Sequence, residues 1–247
     1  MIAGPSEAPP PGLSILAALG HVRTTFFKKP VNLYGLAYLA NIPLLVCWAL
    51  IGGDWSSPVH RGLLFGCYVF LYLGQALIIS YIFELNRRRE GSLKEAVRRV
   101  VGVVWPLLGL GLIIGLLSEG SSAVVPRALP DIVLGALFAV AVPACLMEGL
   151  GAVASIRRSL ELTRGSRLKI LLLVAFAYAV NYFIFYRLII IYIWELAILS
   201  PLSLALVSNA LYAATYLIFY LVYAAVYYEL RTIKDFQINS ADRIDET

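Results

Sequence analysis

The chain has 247 residues, 60% of them hydrophobic and only 14% charged, with a mean hydropathy of +0.82. Soluble domains carry about 25% charged residues, so a water-soluble globular fold is excluded. The net charge of +5 and pI near 9.1 could suit nucleic acid. The basic residues instead cluster beside long apolar runs, where anionic lipid headgroups meet them, so nucleic acid is not an expected partner.

Residues 1–12 are small and Pro-rich, which predicts a disordered tail. Residues 13–29 mix apolar side chains with Arg23, Lys28 and Lys29 and read as an amphipathic helix on the cytoplasmic membrane face. No basic residue precedes Leu13–Leu19, so this segment is a poor signal peptide. Six apolar runs follow: Leu33–Ile51, Gly62–Leu85, Val101–Leu117, Ile132–Gly149, Ile170–Ile190 and Leu202–Tyr228. Each approaches the roughly 20 residues that cross a hydrocarbon core. The expected fold is all-α: a single six-span domain over 13–231 with amphipathic in-plane cytoplasmic helices, then a polar tail at 232–247.

The connections differ in kind. Gly52–Arg61 and Ser118–Asp131 are turn-rich, whereas Asn86–Arg99 and Ala152–Lys169 are basic and helix-forming. Ser92 and Glu95 have capping-box spacing, which starts a short helix there. Gly165 is placed to stop the second basic helix. Basic residues lie before span 1, between spans 2 and 3, between spans 4 and 5, and after span 6. Only Arg61, Arg127 and Arg187 fall on the other side. Positive loops stay in the cytoplasm, so both termini are expected there.

A weak repeat marks the even-numbered spans, which end in Glu84, Glu148 and Glu229, each followed by basic residues. Ala96–Arg99 also resembles Ser155–Arg158. Duplicated helical hairpins would explain this, and so would simple pairing of boundary acids with nearby arginines. Candidate headgroup or ion-pair residues are therefore Glu84, Arg98, Arg99, Glu148, Arg157, Arg158, Ser159, Arg164 and Glu229. Ile156, Leu160 and Thr163 are expected to face acyl chains or the bundle.

Asn41, Gln75 and Asn181 each lie about 15 Å in from the cytoplasmic end of their span, near mid-membrane. Buried amides there serve as interhelical glue or line a polar path. No Asp, Glu, Lys or Arg reaches that depth. Arg187 belongs near the outer interface, within reach of Glu195. Pro43, Pro106 and Pro143 are expected to interrupt or kink their spans. Tyr178, Tyr182 and Tyr186 share one helix face, as do Tyr212, Tyr216 and Tyr220, which suggests a tyrosine seam.

Cys47, Cys67 and Cys145 lack metal-ligand or disulfide spacing, and with only His21 and His60 a histidine-rich metal site is excluded. No phosphate loop, dinucleotide fingerprint, nucleophile elbow or zinc motif occurs. His60-Arg61-Gly62 matches the tripeptide that opens glycerophosphodiester phosphodiesterase domains. Here it runs into an apolar span, with no acidic residue before Glu84, so the match is coincidental.

One stretch carries a family resemblance: Val142-Pro143-Ala144-Cys145-Leu146-Met147-Glu148-Gly149, then Ser155-Ile156-Arg157-Arg158-Ser159-Leu160-Glu161-Leu162-Thr163-Arg164-Gly165. With the ending Tyr227-Tyr228-Glu229-Leu230-Arg231, it resembles bacterial six-span proteins of the glycerophosphodiester phosphodiesterase membrane-domain type. The resemblance implies a multi-pass protein of the bacterial cytoplasmic (inner) membrane. The catalytic domain sometimes fused to such proteins has no counterpart here, so its activity does not transfer.

The expected function is non-enzymatic, with no cofactor: organising lipid or partner proteins through basic cytoplasmic helices. The partners are membrane lipids with anionic headgroups and a possible membrane-protein partner. The alternative is a permease or export subunit for a small or lipidic molecule, motivated by Asn41, Gln75 and Asn181.

Overall fold

The computed structural model describes residues 12–43, 45–46, 58–88, 91–122, 128–183 and 201–245. The described chain is helical, with no strand among the described residues. In chain order the helices are α1 (Ile15–Lys28), α2 (Pro30–Ala40), α3 (Pro58–Arg88), α4 (Leu93–Gly102) and α5 (Val104–Ser122). They continue with α6 (Ala128–Phe138), α7 (Ala141–Glu148), α8 (Ala152–Leu162), α9 (Arg167–Phe183) and α10 (Pro201–Asp245).

Local chemistry sets several boundaries. Ser14 caps α1 by accepting from the Ala17 N–H at 3.3 Å, and Ser92 caps α4 by accepting from Glu95 N–H at 3.3 Å. Such caps satisfy donors that a helix start leaves orphaned. Gly165 sits just past the end of α8 with φ +88°, a conformation that disfavours any residue with a Cβ. The expected stop is therefore made there.

All three prolines singled out above sit just after helix breaks. The chain turns at Asn41 before Pro43, at Val103 before Pro106, and at Ala139–Val140 before Pro143. A proline lacks the N–H that would bond four residues back, and its ring crowds that carbonyl. The break at Asn41 is local, since the Leu45 N–H bonds Asn41 O at 3.1 Å and helical pairing resumes.

Two helical stretches are long and apolar enough to cross a membrane, Phe65–Arg87 in α3 and Ala205–Lys234 in α10. They match the second and sixth expected spans. Two further candidates are bent pairs, α4 with α5 at 71° and α8 with α9 at 107°. Ile132–Glu148 is apolar but shorter. The described residues thus hold two spans, or up to four if each bent pair is one, rather than a clear six. The first expected span is described only to residue 46 and the fifth only to Phe183. The polar segment expected as a tail continues α10 as far as Asp245, since no Gly or Pro interrupts it. Residues 1–11, Cys47, Arg127, Tyr186, Arg187 and Glu195, and the side chains of His60 and Arg61, lie outside the described residues.

The core lies where α3, α7 and α10 meet. Ile78, Ile79, Ile82, Phe83, Val142, Cys145, Val226 and Tyr227 are all buried there. Helix α2 packs on both α3 and α10. Its approach to α3 is close because position 74 is glycine: a Cβ there would fall 2.5 Å from Ala40 Cβ and 3.3 Å from Ala40 Cα. Helix α9 packs on α6 and α10. It buries Ile170, Leu173, Val174 and Ala177, and exposes Leu168, Leu172, Phe176 and Phe183 on its far side. A continuous apolar stripe of this kind suits acyl chains, not water.

The tyrosine seam forms in part. Tyr178 meets Phe219 edge-on at 4.9 Å, and Tyr212, Tyr216 and Tyr220 stack in succession along α10 at 6.1 and 6.2 Å. Tyr182 is largely exposed.

Candidate functional site at one end of the bundle

The ends of α3 and α7 and the late part of α10 converge. The Phe83 ring meets Tyr227 at 5.8 Å and Tyr228 at 4.9 Å, and Tyr227 donates its hydroxyl to Glu148 Oε1 at 3.2 Å. These contacts gather the three glutamates of the weak repeat near one end of the core.

Each glutamate meets a basic side chain. Arg99 Nη2 donates to Glu84 Oε1 at 2.6 Å, and the Glu84 side chain is only 3% exposed. The other arm of Arg99 points at Met147 Sδ, 3.9 Å away. Arg158 Nε donates to Glu148 Oε2 at 2.9 Å and to Oε1 at 3.3 Å. Arg231 donates to the Tyr227 hydroxyl at 3.4 Å, extending the chain of polar contacts. Glu229 lies 3.3 Å from His21 Nε2 on α1. So Glu84 and Glu148 each take an arginine from the helix that follows their turn, the simple pairing of boundary acids with nearby arginines. The third glutamate is met from the N-terminal helix instead, because no described helix follows α10.

The remaining candidates separate into two groups. Arg98 and Arg164 are exposed. Arg157 is exposed and pairs along its own helix with Glu161 at 3.1 Å, an arrangement worth about 0.3–0.5 kcal/mol. Ser159, by contrast, is fully buried and donates to Leu137 O at 2.8 Å, tying α8 to α6. Its place in the headgroup set is therefore corrected: a small hydroxyl facing a neighbouring helix finds a carbonyl there. Thr163 is also buried, bonding Ser159 O at 2.8 Å.

The mid-membrane amides sit on three elements: the end of α2, α3 and α9. Asn41 is buried and donates to Ala37 O at 2.8 Å, which serves the backbone at the α2 break, while its Oδ1 is buried with no hydrogen-bond partner among the described residues. Gln75 is half-buried on α3, beside the Gly74–Ala40 contact. Asn181 is half-buried on α9, whose main packing is on α6 and α10. Sequence reasoning missed Asn209, which is buried and donates to Tyr38 O at 3.3 Å. A lone amide in an apolar run was the available signal. It also missed Asn86, which accepts from Lys28 Nζ at 2.8 Å and partners Thr25 at 3.4 Å. Nothing in the sequence marks that pairing, since it joins residues about 60 apart.

Among the described residues no group of His, Cys, Asp and Glu could hold a metal ion. Compared with known proteins, the chain matches no family, no curated protein and no solved structure.

Proposed function

We propose that this protein is a non-enzymatic, six-span protein of a bacterial inner membrane that organises anionic lipid, or a partner protein, through basic cytoplasmic helices. One observation carries the reading. On α4, Leu93, Val97 and Val101 form an exposed apolar row, and Trp105, just past the bend on α5, is 80% exposed. Lys94 and Arg98 are exposed beside that row, while Arg99 turns inward to Glu84. A helix with apolar side chains on one exposed row and cations beside it fits the boundary between acyl chains and headgroups.

The test uses Trp105 as a reporter. In a variant carrying Trp48→Phe, Trp55→Phe and Trp194→Phe, brominated anionic lipid should quench Trp105 at a lower mole fraction than brominated zwitterionic lipid. The preference should be about fivefold for each cation at low salt. Lys94→Gln with Arg98→Gln should bring it close to one. A parent protein with no preference would refute the reading.

The permease alternative needs Asn41, Gln75 and Asn181 along one path. Asn181 sits on a helix that packs chiefly on α6 and α10 rather than on α2 and α3, so the organising role is preferred. Transport of a small or lipidic solute above background in proteoliposomes would reverse that preference.

A further inference from the structure

A groove of about 280 Å³ opens between α8 and α10, lined by Arg158, Glu161, Leu162, Arg164 and Lys234. Two features set it apart from a generally basic surface. Its cations come from two helices far apart in sequence, so the fold assembles it. It also carries a defined charge. Arg158 is bonded to Glu148, and Glu161 to Arg157, so these two pairs cancel. Arg164 and Lys234 have no ion pair or side-chain hydrogen bond among the described residues, and they leave two unit positive charges facing the opening.

From this charge and its placement we infer that the groove is a binding site for a terminal phosphate group, as found on a phosphomonoester lipid headgroup or in free phosphate. A terminal phosphate carries about −1.5 to −2 at neutral pH, which matches the uncompensated charge; a carboxylate or a phosphodiester carries −1. Arg164 offers a planar fork that meets phosphate oxygens two at a time, and Lys234 supplies a point charge. Buried Leu162 gives the groove an apolar wall. This inference deepens the lipid-organising reading and rests on it for the lipid source.

The experiment titrates full-length protein in zwitterionic nanodiscs with dioctanoyl phosphatidic acid, dioctanoyl phosphatidylglycerol and inorganic phosphate. Phosphatidic acid should bind saturably and more tightly than the diester. Arg164→Gln with Lys234→Gln should weaken it about 25-fold, at about fivefold for each cation. These two residues are outside the Glu148 pair, so the ion pairs that hold α8 stay in place. Arg23→Gln with Arg87→Gln removes the same charge from exposed positions elsewhere and should leave the preference for the terminal phosphate unchanged. Inorganic phosphate binding as tightly as the lipid assigns the site to soluble phosphate, and binding of the lipid alone assigns it to a headgroup. Equal losses in both double variants, or no preference for monoester over diester, overturn the groove while the broader attraction to anionic lipid stands. If the wild type binds neither lipid, the groove fails, and the Trp105 measurement separately decides the broader reading.

Discussion

Gly74→Ala should destabilise the protein by about 1–3 kcal/mol, the usual cost of overpacking a close contact, and Gly74→Leu by more. The added Cβ would lie 2.5 Å from Ala40 Cβ and 3.3 Å from Ala40 Cα. Neither atom ends a flexible side chain, so the helices themselves must separate. Helices in lipid gain little from hydrophobic burial against each other and depend on close packing, which makes this contact expensive to lose. The companion change Ala40→Gly removes the facing methyl. Alone it should cost about 1 kcal/mol in helix propensity. Combined with Gly74→Ala it should recover much of the loss, a coupling of about 0.5–3 kcal/mol. Reversible unfolding in mixed detergent micelles reads all four corners. Additive effects would show that α2 and α3 do not touch at this point.

The second large effect belongs to Glu84 and Arg99. Their 2.6 Å pair sits on a carboxylate that is 3% exposed, where charge cannot be screened by water. Arg99→Leu removes the cation and leaves a buried carboxylate, at a cost of about 3–5 kcal/mol. Glu84→Leu with Arg99→Leu replaces both charges by apolar side chains and should be close to neutral, since replacing a buried pair often is. Arg157→Ala is the control. It breaks an ion pair whose partners are 83% and 53% exposed, so it should cost about 0.3–0.5 kcal/mol. If Arg99→Leu proved as mild as Arg157→Ala, the Glu84 pair would not hold α3 to α4.

Much of the local structure was legible in the sequence. Ser92 caps a helix, Gly165 follows one, and Pro43, Pro106 and Pro143 each follow a break, because caps and proline act through the nearest backbone groups. The second and sixth apolar runs became the two longest apolar helices for the same reason. What faces each side chain was less legible. Glu84 and Glu148 found arginines nearby in the chain, as expected, but Glu229 lies against His21, more than 200 residues away. The Tyr227 hydroxyl on Glu148, the Asn86 bonds and the Gly74–Ala40 contact are similar cases. Periodicity reports which face of a helix is apolar, not which helix covers it. Among the described residues the span count is two to four because the first and fifth apolar runs are described only to residue 46 and Phe183, and the fourth is interrupted at Ala139–Val140. In the candidate site, Arg158 on α8 and Arg164 in the turn after it were readable from the sequence, whereas the part of Lys234 required the three-dimensional fold.

The account depends on the basic helices α4 and α8 facing the cytoplasm. Its most direct test places single cysteines in a background where Cys47, Cys67 and Cys145 are replaced by serine. Lys94→Cys and Arg157→Cys should react with a membrane-impermeant maleimide in inverted vesicles and stay unlabelled in intact cells, while Arg127→Cys should do the opposite. Labelling of Lys94→Cys or Arg157→Cys from outside intact cells would contradict the account.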